Sequence, residues 1–543
     1  RSPGSGKDPD PPLVDRHGIP NRGAWRRTLW PPDIVEVTVR FSLRVPWRRV
    51  AAAATGAGLL AALLCASPPA LAESSGPVVT VPPPGAHGFP FLAAAEDLGS
   101  FGYTESEYFI TGTATSYAKS GLWTSNGRWD VRASGQAPYR TRLLVRRPSD
   151  PAKFNGTVVV EWLNVSGQMD LSPDYWFARD ELLRKGYAWV GVSAQAVGVN
   201  GGLGEIHGLK GWDPARYGSL VHPGDAFSYD IFSQAGRALR SPDGPDPLGG
   251  LAVRTLLADG ESQSAGLMTT YANAVQPVSR VYDGFMIHSN GAVGAPISGE
   301  LSDTLWMPNP SRIRTDLTVP TFVVLTETDV PLAAAARQPD TDRVVHWELA
   351  GTSHGDQWAY DLGQPTLQKS AGSAAPDAGC AAGSAPFNDG PGHYSMNAAL
   401  RGLAAWARGG ARPAAGAPLD TVLRDPRTGL ATGGVRLPDV AVPTRTLTGM
   451  RDTAGSGVFC GLYGARDPWN GGADPWDRHD AGDPSDPSLP LTAEPVLSVL
   501  YPTHADYVGK VRTAAQASVN AGHLLPEDAT AIVAAAEGSG VGG

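Results

Sequence analysis

Val253-Arg254-Thr255-Leu256-Leu257-Ala258-Asp259-Gly260-Glu261-Ser262-Gln263-Ser264-Ala265-Gly266 is the stretch on which the reading of this 543-residue chain turns. A short apolar run, Thr255 to Ala258, leads into a cluster of Gly, Ser and Ala, and a segment rich in Ala, Leu and Met follows it with helical character. A strand that turns sharply into a helix strains the residue at its apex, so the residues two before and two after must be small. The spacing S-x-S-x-G meets that demand with Ser264 at the apex and Ser262 and Gly266 as its small flanks. The common form of such a turn has Gly at the first small position, and an ordinary polar turn has the same composition. What lies downstream therefore decides.

Downstream, Pro320 to Thr326 reads as a strand and is followed at once by Glu327-Thr328-Asp329. Val344 to Leu349 reads as the next strand and is followed by Ala350-Gly351-Thr352-Ser353-His354. A serine, an acid and a histidine thus each follow a strand end, in that order along the chain, the last two 25 residues apart. The chemistry asks for these types. A serine hydroxyl is a weak nucleophile until a base takes its proton, and imidazole, with an ordinary pKa near 6.5, can do so at neutral pH. A carboxylate then fixes the imidazole tautomer and steadies the cation that forms. Asp329, three residues beyond its strand, stands where the acid is expected, with Glu327 as the runner-up. Backbone N–H groups must bind the oxyanion. Ala265, directly after Ser264, is expected to supply one, and the loop Leu163 to Gly167 the other, with Asn164 and Val165 as candidates. His346 lies within its strand and reads as structural; His288, at another strand end, reads as packing or as pocket lining.

The remaining chain supplies the scaffold. Glu107 to Thr113 and Tyr139 to Arg146 read as an antiparallel opening pair, and Thr157 to Leu163 and Tyr187 to Ser193 as buried strands. Helical spacing marks Tyr175 to Lys185 and Asp225 to Leu239, and Val281 to His288 is a further strand. Strands alternating with helices over some 250 residues predict an α/β fold with a mostly parallel, doubly wound sheet and helices on both faces. The catalytic domain is expected over 85–410, closed by a helix at Met396 to Arg408, with a C-terminal appendage over 411–543 packed on it. Residues 196–222 are Gly-rich and read as a pocket-lining loop. Six Asp fall in Asp467 to Pro487 without the spacing of a calcium loop, which makes this a solvated loop rather than a metal site.

Composition and charge narrow the class. A hydrophobic content of 42% with 15 Trp is that of a globular protein. Residues 1–40 show no apolar periodicity and are expected to carry no fold of their own, as an extension ahead of the true start. Residues 41–72 read as a signal peptide: Arg44, Arg48 and Arg49 flank about 16 apolar residues, Val50 to Cys65, and a small-residue site ends at Ala72. A membrane anchor is the alternative, but the run is short for a bilayer. Cleavage after Ala72 leaves 34 basic against 48 acidic residues, a net of −14, which opposes nucleic acid and anionic membranes as partners. It also leaves Cys380 and Cys460, a pair that an oxidising compartment would join; two separate buried thiols are the alternative. No H-E-x-x-H, paired C-x-x-C or phosphate-binding loop is present, and no metal or cofactor is expected.

Glu161-Trp162-Leu163-Asn164, Ser262-Gln263-Ser264-Ala265, Thr326-Glu327-Thr328-Asp329 and Gly351-Thr352-Ser353-His354 together resemble the bacterial alpha/beta hydrolase domain proteins. The similarity spans about 85–540 and includes Gly434-Val435-Arg436-Leu437-Pro438 and Phe459-Cys460. It implies an α/β-hydrolase fold and serine hydrolase chemistry, and no particular substrate. The resulting expectation is an exported carboxylic ester hydrolase with the triad Ser264, Asp329 and His354, acting on a small-molecule or polymeric ester. An amide or peptide hydrolase with the same triad, and a catalytically silent fold used for binding, remain the alternatives.

Overall fold

The apolar run Thr255 to Ala258 does not end where its hydrophobicity ends. In the computed structural model, which describes residues 76–202, 208–469 and 496–543, it continues through Asp259 and Gly260 to Glu261. Pairing extends it: Gly260 and Glu261 sit in parallel register with Ile287 and His288 of the neighbouring strand, where the ladder satisfies their backbone groups.

Among the described residues the strands form a nine-stranded sheet. We number them β1 (Val78–Thr80), β2 (Tyr103–Ser120), β3 (Asp130–Pro148), β4 (Thr157–Trp162), β5 (Ala188–Val192), β6 (Thr255–Glu261), β7 (Gly284–His288), β8 (Thr321–Thr326) and β9 (Val344–Leu349). Their order is β1-β2-β3-β5-β4-β6-β7-β8-β9. The β1–β2, β2–β3 and β3–β5 pairs are antiparallel, and every later pair is parallel. The fold is that of an α/β-hydrolase. The opening pair is far longer than its apolar centre suggests. β2 and β3 keep pairing along polar stretches as far as Ser120 and Asp130, with a register shift at Ser116/Tyr117.

Strand order reverses around β4, which lies between β5 and β6, so crossovers leave in opposite directions and open a crevice at the carboxyl ends of β4 and β6. Side chains alternate across the sheet. Val158, Val160 and Trp162 pack on one face with α2 (Ser228–Arg240) and α3 (Gln263–Thr270). Val159 and Leu163 pack on the other with α1 (Pro173–Arg184), α4 (Gln357–Ala371) and α5 (Gly392–Ala407). Buried Glu161 accepts the N–H groups of Asp174 and Tyr175 at the start of α1 and the indole N–H of Trp189 at 2.8 Å, where the helix end favours an anion.

Three segments depart from what their composition suggests. The Gly-rich stretch 196–222 holds short helices at Ala196–Asn200, Leu209–Trp212 and Pro214–Tyr217, and Leu209, Tyr217 and Leu220 are buried in the core. Phe91 and Leu92, in a stretch that composition marks as surface, are buried too. Between His354 and Met396 the chain builds α4, begun by the Asp356 carboxylate capping Ala359 N–H at 2.8 Å and carrying Pro365 inside it. The tail packs against the sheet unit. Its ribbons β10 (Leu419–Arg424) with β11 (Ala431–Gly433), and β12 (Arg445–Thr448) with β13 (Ala465–Pro468), contribute Leu419 and Leu447 to the core of the sheet's first face. Helices α6 (His504–Asn520) and α7 (Pro526–Glu537) join the core of the other face, and Asp528 of α7 meets Arg184 of α1. The expected signal peptide, 41–72, lies outside the described residues, as does most of the Asp-rich loop.

Candidate active site

Ser262 occupies the apex between β6 and α3, with φ 60° and ψ −119°. An L-residue takes that conformation only where the surroundings impose it. Here the imposition is packing. A Cβ on Gly260 would lie 3.0 Å from Met268 Cγ and from the backbone oxygen of Ser264, so the helix folds back closely on the strand where Gly leaves room. The small flanks of the apex are therefore Gly260 and Ser264, and the motif runs G-x-S-x-S.

This corrects the register expected from sequence. Ser264 lies within the first turn of α3, fully buried, its Oγ without a hydrogen-bond partner among the described residues. Ala265 moves with it. The amide directly after the apex is that of Gln263, and Ala265 is buried in the core. Asn164 also changes role. Its N–H donates to the Leu171 carbonyl at 3.0 Å and its Nδ2 to the Glu261 carbonyl at 3.1 Å, so it braces the loop against β6. Of the two loop residues named from sequence, Val165 is the one whose amide is not committed to that bridge.

His354 and Asp329, each just past a strand end, lie beside Ser262. Ser262 Oγ lies 2.8 Å from His354 Nε2, and His354 Nδ1 lies 2.6 Å from Asp329 Oδ1. The other Asp329 oxygen accepts from Thr326 N–H at 3.0 Å and from Thr326 Oγ1 at 2.5 Å. Glu327, buried, turns away. It takes Arg424 Nη2 at 2.6 Å and the amides of Gly351 and Gly449. A second carboxylate reaches the imidazole instead: Glu261 Oε1 is 2.9 Å from His354 Nε2, a contact the sequence reading missed. Burial alone would lower the His354 pKa. The charges of Glu261 and Asp329 outweigh it and hold the imidazole well above its ordinary range. Burial alone would raise Asp329, but His354 and Thr326 keep it below the usual carboxylate value.

His288 stays beneath the site, buried, with Nδ1 2.8 Å from Asp174 Oδ1 and its ring edge-on to Phe177. His346 pairs with Asp340 and lines a separate cavity of about 530 Å³ beside β8 and β9, to which none of Ser262, Asp329 and His354 contributes.

Ser262 and His354 open into a cavity of about 310 Å³. Trp176 and Phe177 from α1, Tyr360 and Leu367 from α4, and Phe459 and Tyr463 from the tail supply most of its apolar wall. Cys380 and Cys460 are joined by a disulfide across 80 residues, and Gly457 N–H donates to Gly379 O beside it at 2.7 Å. The bridge thereby fixes the segment carrying Val458, Phe459, Leu462 and Tyr463 against the cavity. Among the described residues no group of three or more His, Cys, Asp or Glu could hold a metal ion. Among them, too, no helix is long and apolar enough to cross a membrane.

Residues 75–534 match the alpha/beta hydrolase domain family, and the chain belongs to it. No curated protein matches. Solved structures with a similar fold include the esterase Est22, at 13% identity, covering 52% of this chain and 83% of that one with a TM-score of 0.29. A glucuronoyl esterase from Teredinibacter turnerae is similar at 12% identity, covering 51% and 74% with a TM-score of 0.24.

Proposed function

We propose that this protein is an exported serine hydrolase of carboxylic esters, with Ser262 as nucleophile, His354 as general base and Asp329 as the acid that orients it. The observation that carries the reading is the continuous line from Ser262 Oγ through both imidazole nitrogens to Asp329, at 2.8 and 2.6 Å. In the first step the Ser262 proton passes to Nε2 while Oγ bonds to the ester carbonyl carbon. The Gln263 and Val165 amides are the donors assigned to the resulting oxyanion; losing one such donor typically costs roughly 3–4 kcal/mol. Nε2 then returns the proton to the departing alkoxide, leaving an acyl-serine. Water, deprotonated by the same nitrogen, attacks the acyl carbon, and the acid leaves as Nε2 gives the proton back to Oγ.

The cavity supports an uncharged ester with an apolar or aromatic part. Five aromatic side chains line it, and among the described residues no Lys or Arg does, while Glu261 and Asp377 do. An anionic acyl or alcohol group would meet two carboxylates, and the nearest positive group, His354, is already engaged by Glu261 and Asp329. The disulfide, together with the basic flank, apolar run and small-residue site in 41–72, supports export.

Reaction with a fluorophosphonate probe tests the reading, with the adduct mapped by peptide mass spectrometry. An adduct on Ser262 that is absent in Ser262→Ala is expected; no adduct on intact protein would leave only a binding role for the fold. Turnover of p-nitrophenyl acetate against acetyl p-nitroanilide separates ester from amide hydrolysis, with the ester expected to react.

A further inference from the structure

The imidazole of His354 meets a carboxylate at each nitrogen. Asp329 Oδ1 stands 2.6 Å from Nδ1, and Glu261 Oε1 stands 2.9 Å from Nε2. Ser262 Oγ, 2.8 Å away, shares that second nitrogen. An ionised carboxylate only accepts hydrogen bonds, and neutral imidazole carries one N–H. Two carboxylates at hydrogen-bond distance from the two nitrogens are therefore satisfied together only by the imidazolium. Its Nδ1–H then points at Asp329 and its Nε2–H lies between Glu261 and Ser262.

Glu261 is held for this. It is the last residue of β6, 5% exposed, and the Asn164 amide braces its backbone carbonyl and approaches Oε2 at 3.4 Å. A carboxylate that deep needs a partner, and the cation within reach is His354. The other titratable groups around the pair leave this balance in place. The buried Asp174–His288 pair lies behind, on α1 and β7; Asp356 precedes α4; and Tyr463 faces the pair from the tail. Among the described residues no Lys or Arg lines the cavity.

We propose that Glu261 is a positioning residue for the catalytic base, a second carboxylate that holds His354 as the imidazolium both in the resting enzyme and during acyl transfer. The proposal rests on the triad reading above. While Nε2 keeps its proton it has no lone pair for the Ser262 hydroxyl, so the free enzyme must first release that proton to water. Once the proton is gone, Ser262 supplies its own to Nε2 as it attacks, and Glu261 accepts from the N–H so formed. One carboxylate thus delays the onset of activity with rising pH and favours the charged intermediate after onset. In agreement, Glu261 and Asp329 together hold His354 well above the ordinary imidazole range against its burial.

The test is the pH dependence of kcat/KM for a p-nitrophenyl ester, and of fluorophosphonate inactivation, in the intact protein and in Glu261→Gln. In the intact protein both rates are expected to rise along a limb above pH 6.5, the ordinary imidazole value. In Glu261→Gln the limb is expected to move to lower pH and the plateau to fall, so that the two profiles cross. At pH 6 the variant, scaled to its own plateau, should be at least about threefold more active. A limb that does not move, or one at or below pH 6.5 in the intact protein, overturns the proposal; the second outcome needs no variant to fold. Absence of any Ser262 adduct at every pH sinks the triad reading itself, which labelling with an unmoved limb would not.

Discussion

Arg424 Nη2 lies 2.6 Å from Glu327 Oε1, and this ion pair ties the tail's β10 to the loop that carries Asp329. The acid nearest the strand end is thus spent on holding the tail, and the acid two residues later faces the histidine. Glu327 is fully buried, with Gly351 N–H and Gly449 N–H also donating to it.

Asp329→Asn and Glu327→Gln should therefore fail differently. The first is expected to remain folded and lose about 10³- to 10⁴-fold in kcat, because an amide favours the wrong imidazole tautomer. The second should lose about 3 kcal/mol of stability, since it leaves Arg424 facing an uncharged buried group. Denaturant melts alongside kinetics separate the two; a stable, inactive Glu327→Gln would exchange their roles.

Ser262→Ala is expected to lower ester hydrolysis by several powers of ten and to abolish fluorophosphonate labelling. Ser264→Ala should retain most activity, because its hydroxyl is buried without a partner and the methyl group fits the same space. Equal loss in both would contradict the apex geometry.

Breaking the Cys380–Cys460 bridge should affect stability and substrate handling together. Chain entropy for a loop of 80 residues corresponds to roughly 4–5 kcal/mol, less whatever order the open chain keeps. Because the bridged segment carries Phe459 and Tyr463 of the cavity wall, Cys380→Ser with Cys460→Ser is expected to raise KM for an aromatic ester more than for an acetate. Unchanged KM for both would separate the tail from the binding site.

Gly363 sits on α4 against Trp176, and a Cβ there would come within 3.0 Å of the indole ring. Gly363→Ala should push the ring into the cavity and reduce kcat/KM for long or aromatic acyl groups while sparing acetate. Overpacking of this kind costs about 1–3 kcal/mol, which a thermal melt would register.

Asp356 is buried at the start of α4, and burial raises its pKa from 3.8 to about 7. Between those values the folded state binds more protons than the unfolded chain, so stability falls as pH rises from about 4 to about 7. Its contribution is fully present below 3.8 and is lost as pH passes the folded value. Asp356→Asn keeps an oxygen to accept from Ala359 N–H and should flatten that slope. An unchanged stability-versus-pH curve would mean that Asp356 stays ionised in the fold.

The sequence by itself determined the strand-and-helix alternation, the order serine, acid, histidine, and the cysteine pair, because strand ends carry their residues in fixed order along the chain. The apex register was not legible. Asp259, Gly260 and Glu261 are polar and look like the turn after a strand, and only their pairing with Met286, Ile287 and His288 makes them its last residues. The apex accordingly lies at Ser262, two positions before Ser264, and the amide directly after it is that of Gln263 and not of Ala265. The Pro365-containing helix α4 was hidden by its breaker residue, and the Glu261 contact by distance, since its partner lies 93 residues away. Hydrophobic pattern records which segments are buried. Which backbone groups remain to be satisfied at a strand's end, and which carboxylate then meets an imidazole, is decided only when neighbouring strands set the register.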